Sequence, residues 1–350
     1  MYFNIHSGSC APAERDLPAL ATIFSQALSE AEVGKTGSAT QIAIVPQAGP
    51  SNDSGSGLSP LAARFPEVAG DQQSWAHLYG SAKALALGAA ACRAKGPIAI
   101  IAQDTLHTNR LQEQLCFYHA GDPGLVVRGF PGWEVLPYDH FSPYHDIVSE
   151  RLATLSVLPS MRRGVVVVSV QTLMQRLAPP SYVQSSSLVL EAGQAIDRET
   201  FRRELESSGY RCVPEVAEHG DFAARGSLLD IFPMGGEVPY RIDLLDDEID
   251  SIRAFDPETQ RSQGMVPQVR VLPAHEFPLT KEGIARFRAA WRVRFSGRPM
   301  DAPVYRDVSA ALAPAGVESY LPLFFEQTAT FFDYLSEDTV MVLDEGVEPA

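Results

Sequence analysis

The chain has 350 residues, 45% of them hydrophobic and 20% charged, with a formal net charge of −15. That is length for two or three domains and apolar content enough for a packed core. It excludes a helical membrane protein, since no run of about eighteen apolar residues occurs, and a strongly acidic balance argues against a dedicated nucleic-acid binder, which presents a basic face.

Along the chain, Leu17–Ala31 places Leu17, Leu20, Ile23, Phe24 and Leu28 at helical spacing. The Gly, Ser and Pro of Gln47–Pro60 predict a flexible linker. Residues 1–73 are therefore expected to be an extension with a linker. From Trp75 strands and helices alternate. Ser81–Lys95 reads as an Ala-rich helix, Pro97–Ala102 as a buried strand, Thr105–Phe117 as a helix and Leu125–Arg128 as a strand. Arg151–Met161 reads as a helix, Gly164–Val170 as another buried strand and Thr172–Leu177 as a short helix. Continuous apolar strands between helices are the pattern of a parallel sheet covered on both faces.

Near Tyr182 the pattern changes. Leu188–Glu191 predicts a strand and Asp197–Ser208 a helix. In the stretch Arg225–Asp250, Leu228, Leu229 and Ile231 precede a turn at Pro233–Gly236. Tyr240, Ile242 and Leu244 then alternate with polar residues. That period of two predicts half-buried strands. Pro214–Glu218 and Arg270–Leu272 are further strand candidates. Ala274–Pro322 is mainly helical, with Lys281–Phe295 its main helix, and Thr339–Leu343 is a last buried strand. The fold class expected is α/β, with domains at 74–182 (completed by 330–350), 183–272 as an α+β insertion, and 273–329 as a mainly helical subdomain.

Chemistry-bearing residues are sparse. The lysines are Lys35, Lys83, Lys95 and Lys281, and no dense basic cluster is read, so DNA binding by this chain alone is expected to be weak. Cys10, Cys92, Cys116 and Cys212 lack metal or disulfide spacing and predict buried free thiols. With no secretory signal, a reducing cytoplasm is the expected setting. His140 and His145 sit in a Pro-broken loop with poor ligand geometry, and that loop is expected to pack its aromatics over the sheet. Glu218 and His219 lack a nucleophile nearby and read as loop-ordering residues. Arg225 and Arg241, held on a rigid hairpin, suit the gripping of a carboxylate partner. Read from the residues alone, pairing with Asp243, Asp247 or Glu248 competes with that reading.

The strings RGSLLDIFPMGGEVPYRIDLLDDEIDSIRAFD, FPGWEVLPYDHFSPYHDIVSERLATL and VLPAHEFP resemble the module shared by the excision-repair protein UvrB and the bacterial transcription-repair coupling factors, over about Trp75 to Glu345. The resemblance implies a degenerate P-loop, RecA/helicase-like sheet domain carrying an inserted UvrA-binding domain. It implies a UvrA contact at Arg225, Arg241, Asp243 and Leu245, both arginines being expected exposed. Leu245 stands where the relatives commonly carry an aromatic. It also implies that ATP, magnesium, RNA polymerase and double-stranded DNA are engaged by a translocase part outside this chain, and the stop shortly after the last buried strand leads to the expectation of a longer parent.

Where UvrB has its nucleotide loop, this chain reads from His77 to Ala84. Gly80 and Lys83 survive, but His77, Ala82 and Ala84 replace the two glycines and the magnesium-binding hydroxyl. With Asp344 and Glu345, these are expected to be a vestigial nucleotide site, and this chain is expected not to be an enzyme. The lesion-clamping hairpin of UvrB has no room between Phe141 and Val148. Two rivals remain: a UvrB-like ATPase and a damage-specific DNA-binding protein.

Overall fold

The computed structural model describes residues 41–44, 73–75, 78–119, 122 and 124–347. The helix expected at Leu17–Ala31 and the linker at Gln47–Pro60 lie outside them. Five parallel strands form the central sheet: β1 (Gln41–Ile44), β2 (Ile98–Ala102), β3 (Val126–Phe130), β4 (Gly164–Ser169) and β13 (Val340–Leu343), in the order β1-β13-β2-β4-β3. β2 and β4 are buried along their whole length, as their unbroken apolar runs require. Burying each such Val or Ile side chain contributes roughly 1.5–3 kcal/mol. β1 corrects the expectation that residues 1–73 stand apart as an extension, because Gln41–Ile44 extends the sheet in register with Val340–Leu343.

Helices α1 (Ala82–Ala91) and α2 (Thr105–His119) cover one face through Leu87, Leu111 and Leu115. The alanines of α1 favour helix and let it lie close. Gly88 is required by that approach, since a Cβ there would stand 1.7 Å from His119 Nε2. α3 covers the other face. It spans His145–Val157, starting six residues before the predicted Arg151 because Pro143 ends the loop and Asp146 supplies a favourable first-turn charge. Two short helices, α4 (Val170–Leu173) and α5 (Pro180–Ser185), lead away from the sheet.

The excursion from the sheet is closed by an antiparallel pair, β5 (Leu188–Glu191) with β12 (Gln268–Val271). Between them lie α6 (Arg198–Ser207), which Asp197 caps by accepting from the Thr200 N–H at 2.7 Å, and a six-stranded sheet. Its strands are β6 (Arg211–Cys212), β7 (Asp221–Arg225), β8 (Leu228–Ile231), β9 (Tyr240–Leu245), β10 (Glu248–Phe255) and β11 (Ser262–Val266), ordered β11-β10-β9-β8-β7-β6. The inner face of this sheet, with Phe222, Leu229, Ile231, Ile242, Leu244 and Ile252, shares one core with Leu152, Val166 and Val168 of the parallel-sheet unit. Pro214–Glu218 is not a strand. The predicted turn at Pro233–Gly236 is part of a longer connection, which docks on α3 where Gly235 N donates to Ser149 Oγ at 2.8 Å.

A buried ion pair fixes the junction. Arg151 on α3, fully buried, donates from Nε to Glu276 Oε1 at 2.5 Å and from Nη2 to Oε2 at 3.1 Å, and Trp133 Nε1 donates to the same carboxylate at 3.1 Å. Glu276 follows β12, so this ion pair ties the end of the excursion to α3 on the parallel-sheet unit.

Beyond it, α7 (Lys281–Arg294) and α8 (Pro303–Ser309) build a separate aromatic core around Phe287, Trp291, Tyr305 and Phe324. Thr280 caps α7, its hydroxyl accepting from Gly283 N at 3.2 Å. α7 also overturns the reading that the chain lacks a basic cluster, for Arg286, Arg288, Arg292 and Arg294 are all exposed on it. Two further expectations fail. Cys92, Cys116 and Cys212 are exposed rather than buried. The aromatics of the loop after β3 do not cover the sheet: Tyr138, Phe141 and Tyr144 are 64%, 67% and 80% exposed. Tyr138 rests edge-on against Tyr320 of the helical region instead.

Candidate partner-binding surface

The outer face of the six-stranded sheet is built from strand register. β7 and β8 are joined by Gly226 and Ser227 alone, with Arg225 opposite Leu228. Gly226 takes φ +60, which the first position of a two-residue hairpin turn demands. Across β8 and β9, Leu228 faces Asp243 and Asp230 faces Arg241. Across β9 and β10, Asp243 faces Ser251 and Arg241 faces Arg253. Side chains two apart share a face. Arg225, Leu228, Asp230, Arg241, Asp243, Ser251 and Arg253 therefore project together, away from the core.

Arg241 is not free on this surface, contrary to expectation. Its side chain is 18% exposed. Nε donates to Asp230 Oδ1 at 2.8 Å and Nη2 to Asp230 Oδ2 at 2.9 Å, a bidentate fork. The guanidinium stacks 4.9 Å from the Phe255 ring centre and Nη1 donates to Gln260 O at 3.3 Å. The Asp230 carboxylate holds Arg241 above its ordinary pKa. Of the competing acids, Asp243, Asp247 and Glu248, none forms an ion pair with Arg241, though the charge of Asp243 also raises its pKa. Asp243 instead accepts from Arg253 at 3.0 Å and from Ser251 Oγ at 3.2 Å. Sequence reasoning missed Asp230, Arg253 and Phe255. Asp230 was legible as the polar residue between Leu229 and Ile231, but its place opposite Arg241 comes from the strand register.

Arg225 is exposed at the end of β7 and donates to the Pro214 carbonyl. Leu245 is 68% exposed at the end of β9. The structure thus places all four predicted residues on one sheet, with Arg225, Asp243 and Leu245 accessible around a fixed Arg241–Asp230 centre.

Of the predicted nucleotide residues, Lys83 and Asp344 meet, on the parallel-sheet unit. Gly80 takes φ +58 just before α1, and Lys83 in its first turn donates to Asp344 Oδ1 at 2.6 Å. Asp344 is buried and Glu345 exposed. His77 lies outside the described residues. Among the described residues no cluster of three His, Cys, Asp or Glu could hold a metal ion, and no helix is long and apolar enough to cross a membrane.

Residues 188–277 match the UvrB interaction domain family, a span that holds every residue of the outer face just described. Over these residues the chain is similar to the UvrB interaction domain family. The wider chain is similar to the transcription-repair-coupling factor of Escherichia coli K12, 44% identical over 279 residues and 79% of this chain. It is 41% identical over 79% of its length to the Haemophilus influenzae protein of that name, and 34% over 72% to that of Myxococcus xanthus. The chain spans about a quarter of these relatives, 24%, 24% and 22% of their lengths. The resemblance to transcription-repair coupling factors read from the sequence is borne out, and so is the parallel-sheet α/β unit with an added sheet.

Proposed function

We propose that this chain is a UvrA-recruiting module of a transcription-repair coupling factor, linking a stalled RNA polymerase to nucleotide-excision repair in the cytoplasm. The observation that carries the reading is the coincidence of the UvrB interaction domain match with an outward sheet face whose charged residues are positioned by one another. Arg225, Asp243 and Leu245 form the contact, and Arg241 holds the strands that present them. Pre-ordered charges of this kind set specificity, because little side-chain freedom is lost on binding. RNA polymerase, double-stranded DNA, ATP and magnesium belong in this reading to parts of the parent protein outside this chain.

The chain itself is proposed not to hydrolyse ATP. Lys83, the residue that would meet a phosphate, is occupied by Asp344, and Ala84 stands where a magnesium-binding hydroxyl is needed. The alternative is a UvrB-like ATPase. Magnesium-dependent ATP hydrolysis lost on Lys83→Ala would establish that alternative. Retention of purified chain on immobilised UvrA without nucleotide, with no ATP turnover, is the result expected of a recruiting module. A folded chain that UvrA fails to retain would contradict it.

A further inference from the structure

The chain carries a formal charge of −15, yet residues 281–306 hold seven basic and two acidic residues. Helical spacing sorts them. Lys281, Arg288 and Arg292 fall along one line of α7, seven and then four residues apart, flanking the buried Phe287 and Trp291. All three are exposed, as are Arg294 and Arg298 at and beyond the helix end. Arg151, Arg163, Arg211, Arg241 and Arg253 are ion-paired to carboxylates. Among the described residues, Lys281, Arg288, Arg292, Arg294 and Arg298 have no such partner, and Arg286 reaches Glu326 only at 3.7 Å.

Two of these guanidiniums are gathered at one point. Arg288 Nε donates to the hydroxyl of buried Tyr305 at 3.4 Å. Hydrogen bonding from Arg288, then the charge and hydrogen bond of Arg292, hold that phenol below its ordinary pKa. Complementing the helix dipole accounts for Arg292 and Arg294 in the last turn, at a few tenths of a kcal/mol each. It does not account for Lys281, Arg288 or Arg298.

We propose that the solvent face of α7 binds the phosphate backbone of duplex nucleic acid. On this line the residue between Lys281 and Arg288 is the small Ala285, while the exposed apolar Val293 stands off it, next to Arg292. A row of cations without carboxylate partners fits a regular polyanion, whose binding releases counterions and requires no pocket. The acidity of the rest of the chain keeps the interaction short-range and salt-sensitive. It would act as an auxiliary grip on a duplex held by other means.

The test is fluorescence anisotropy of a fluorescein-labelled DNA duplex with the full chain over a salt series. Two variants are compared, Lys281→Gln/Arg288→Gln/Arg292→Gln and Arg294→Gln/Arg298→Gln. The second touches only exposed side chains and decides the matter if the first unfolds by circular dichroism. The expected result is wild-type binding at low salt that weakens about tenfold or more in the variants. The slope of log K against log salt should flatten by about 0.9 for each phosphate no longer neutralised. UvrA binding should be unchanged in both variants, which separates this surface from the recruiting face. No wild-type binding, or variants that bind like the wild type, overturns the proposal. Displacement of the duplex by polyglutamate at equal charge overturns it in favour of an acidic protein partner.

Discussion

Lys83 and Asp344 stand 261 positions apart in the chain and 2.6 Å apart in space. The pair joins the first turn of α1 to the end of β13, so the last strand is locked against the helix that opens the sheet unit. Asp344 is buried, and breaking one side of such a pair leaves the other charge without compensation. Asp344→Ala should lower unfolding free energy by on the order of 2 kcal/mol. The double change Lys83→Met/Asp344→Leu should recover most of that loss. Urea melts of the single and double variants measure both. A double variant as unstable as Asp344→Ala would mean the ion pair is not what holds β13.

The Arg241–Asp230 fork governs how the recruiting surface can be probed. Arg241→Ala strands a buried carboxylate and uncovers Phe255, a loss of about 2–3 kcal/mol. Arg225→Ala, at an exposed strand end, should change stability by less than about 0.5 kcal/mol. Thermal melts of the two variants should therefore separate clearly, and equal midpoints would place Arg241 outside the framework.

At the junction, Arg151 and Glu276 are the deepest charges described. Glu276→Gln leaves the guanidinium of Arg151 with a neutral partner in a dry site and should cost about 3–5 kcal/mol. Without the ion pair the return from the six-stranded sheet is freed, so limited proteolysis near Glu276 should accelerate. An unchanged cleavage pattern would count against the pair as the clamp of the excursion.

Burial pushes the Glu318 carboxyl up to about 7 against an ordinary 4.5. A raised folded-state value means the neutral form is favoured in the fold. Its contribution is fully present below the unfolded value near 4.5 and is lost as pH rises through about 7. Glu318→Gln keeps the neutral shape at every pH. The variant should therefore melt at nearly the wild-type temperature at pH 4.5 and above it at pH 8, by differential scanning calorimetry. A pH-independent difference would show that Glu318 does not titrate in this range.

The parallel strands were legible because burial on both faces writes an unbroken apolar run, as in β2 and β4. β1 was not, for four residues of Gln-Ile-Ala-Ile between polar segments carry no period. The hairpin residues were legible as alternation, but their pairing was not. Reading Pro233–Gly236 as a tight turn hid the longer connection that docks on α3, and with it the register that sets Asp230 beside Arg241. Solvation misled the reading of the loop after β3, where aromatic character suggested burial although Tyr138, Phe141 and Tyr144 stay exposed and Tyr138 rests on Tyr320. Net charge concealed the basic stripe of α7, since a sum over the chain says nothing of how charge is distributed along one helix.

The most direct test of the recruiting role is calorimetric titration of UvrA with the wild-type chain and with Arg225→Ala/Leu245→Ala, whose side chains are exposed and whose fold circular dichroism can verify. The account predicts nucleotide-independent binding by the wild type and its loss in the folded variant. Wild-type affinity in that variant, or no binding by the wild-type chain, would contradict it.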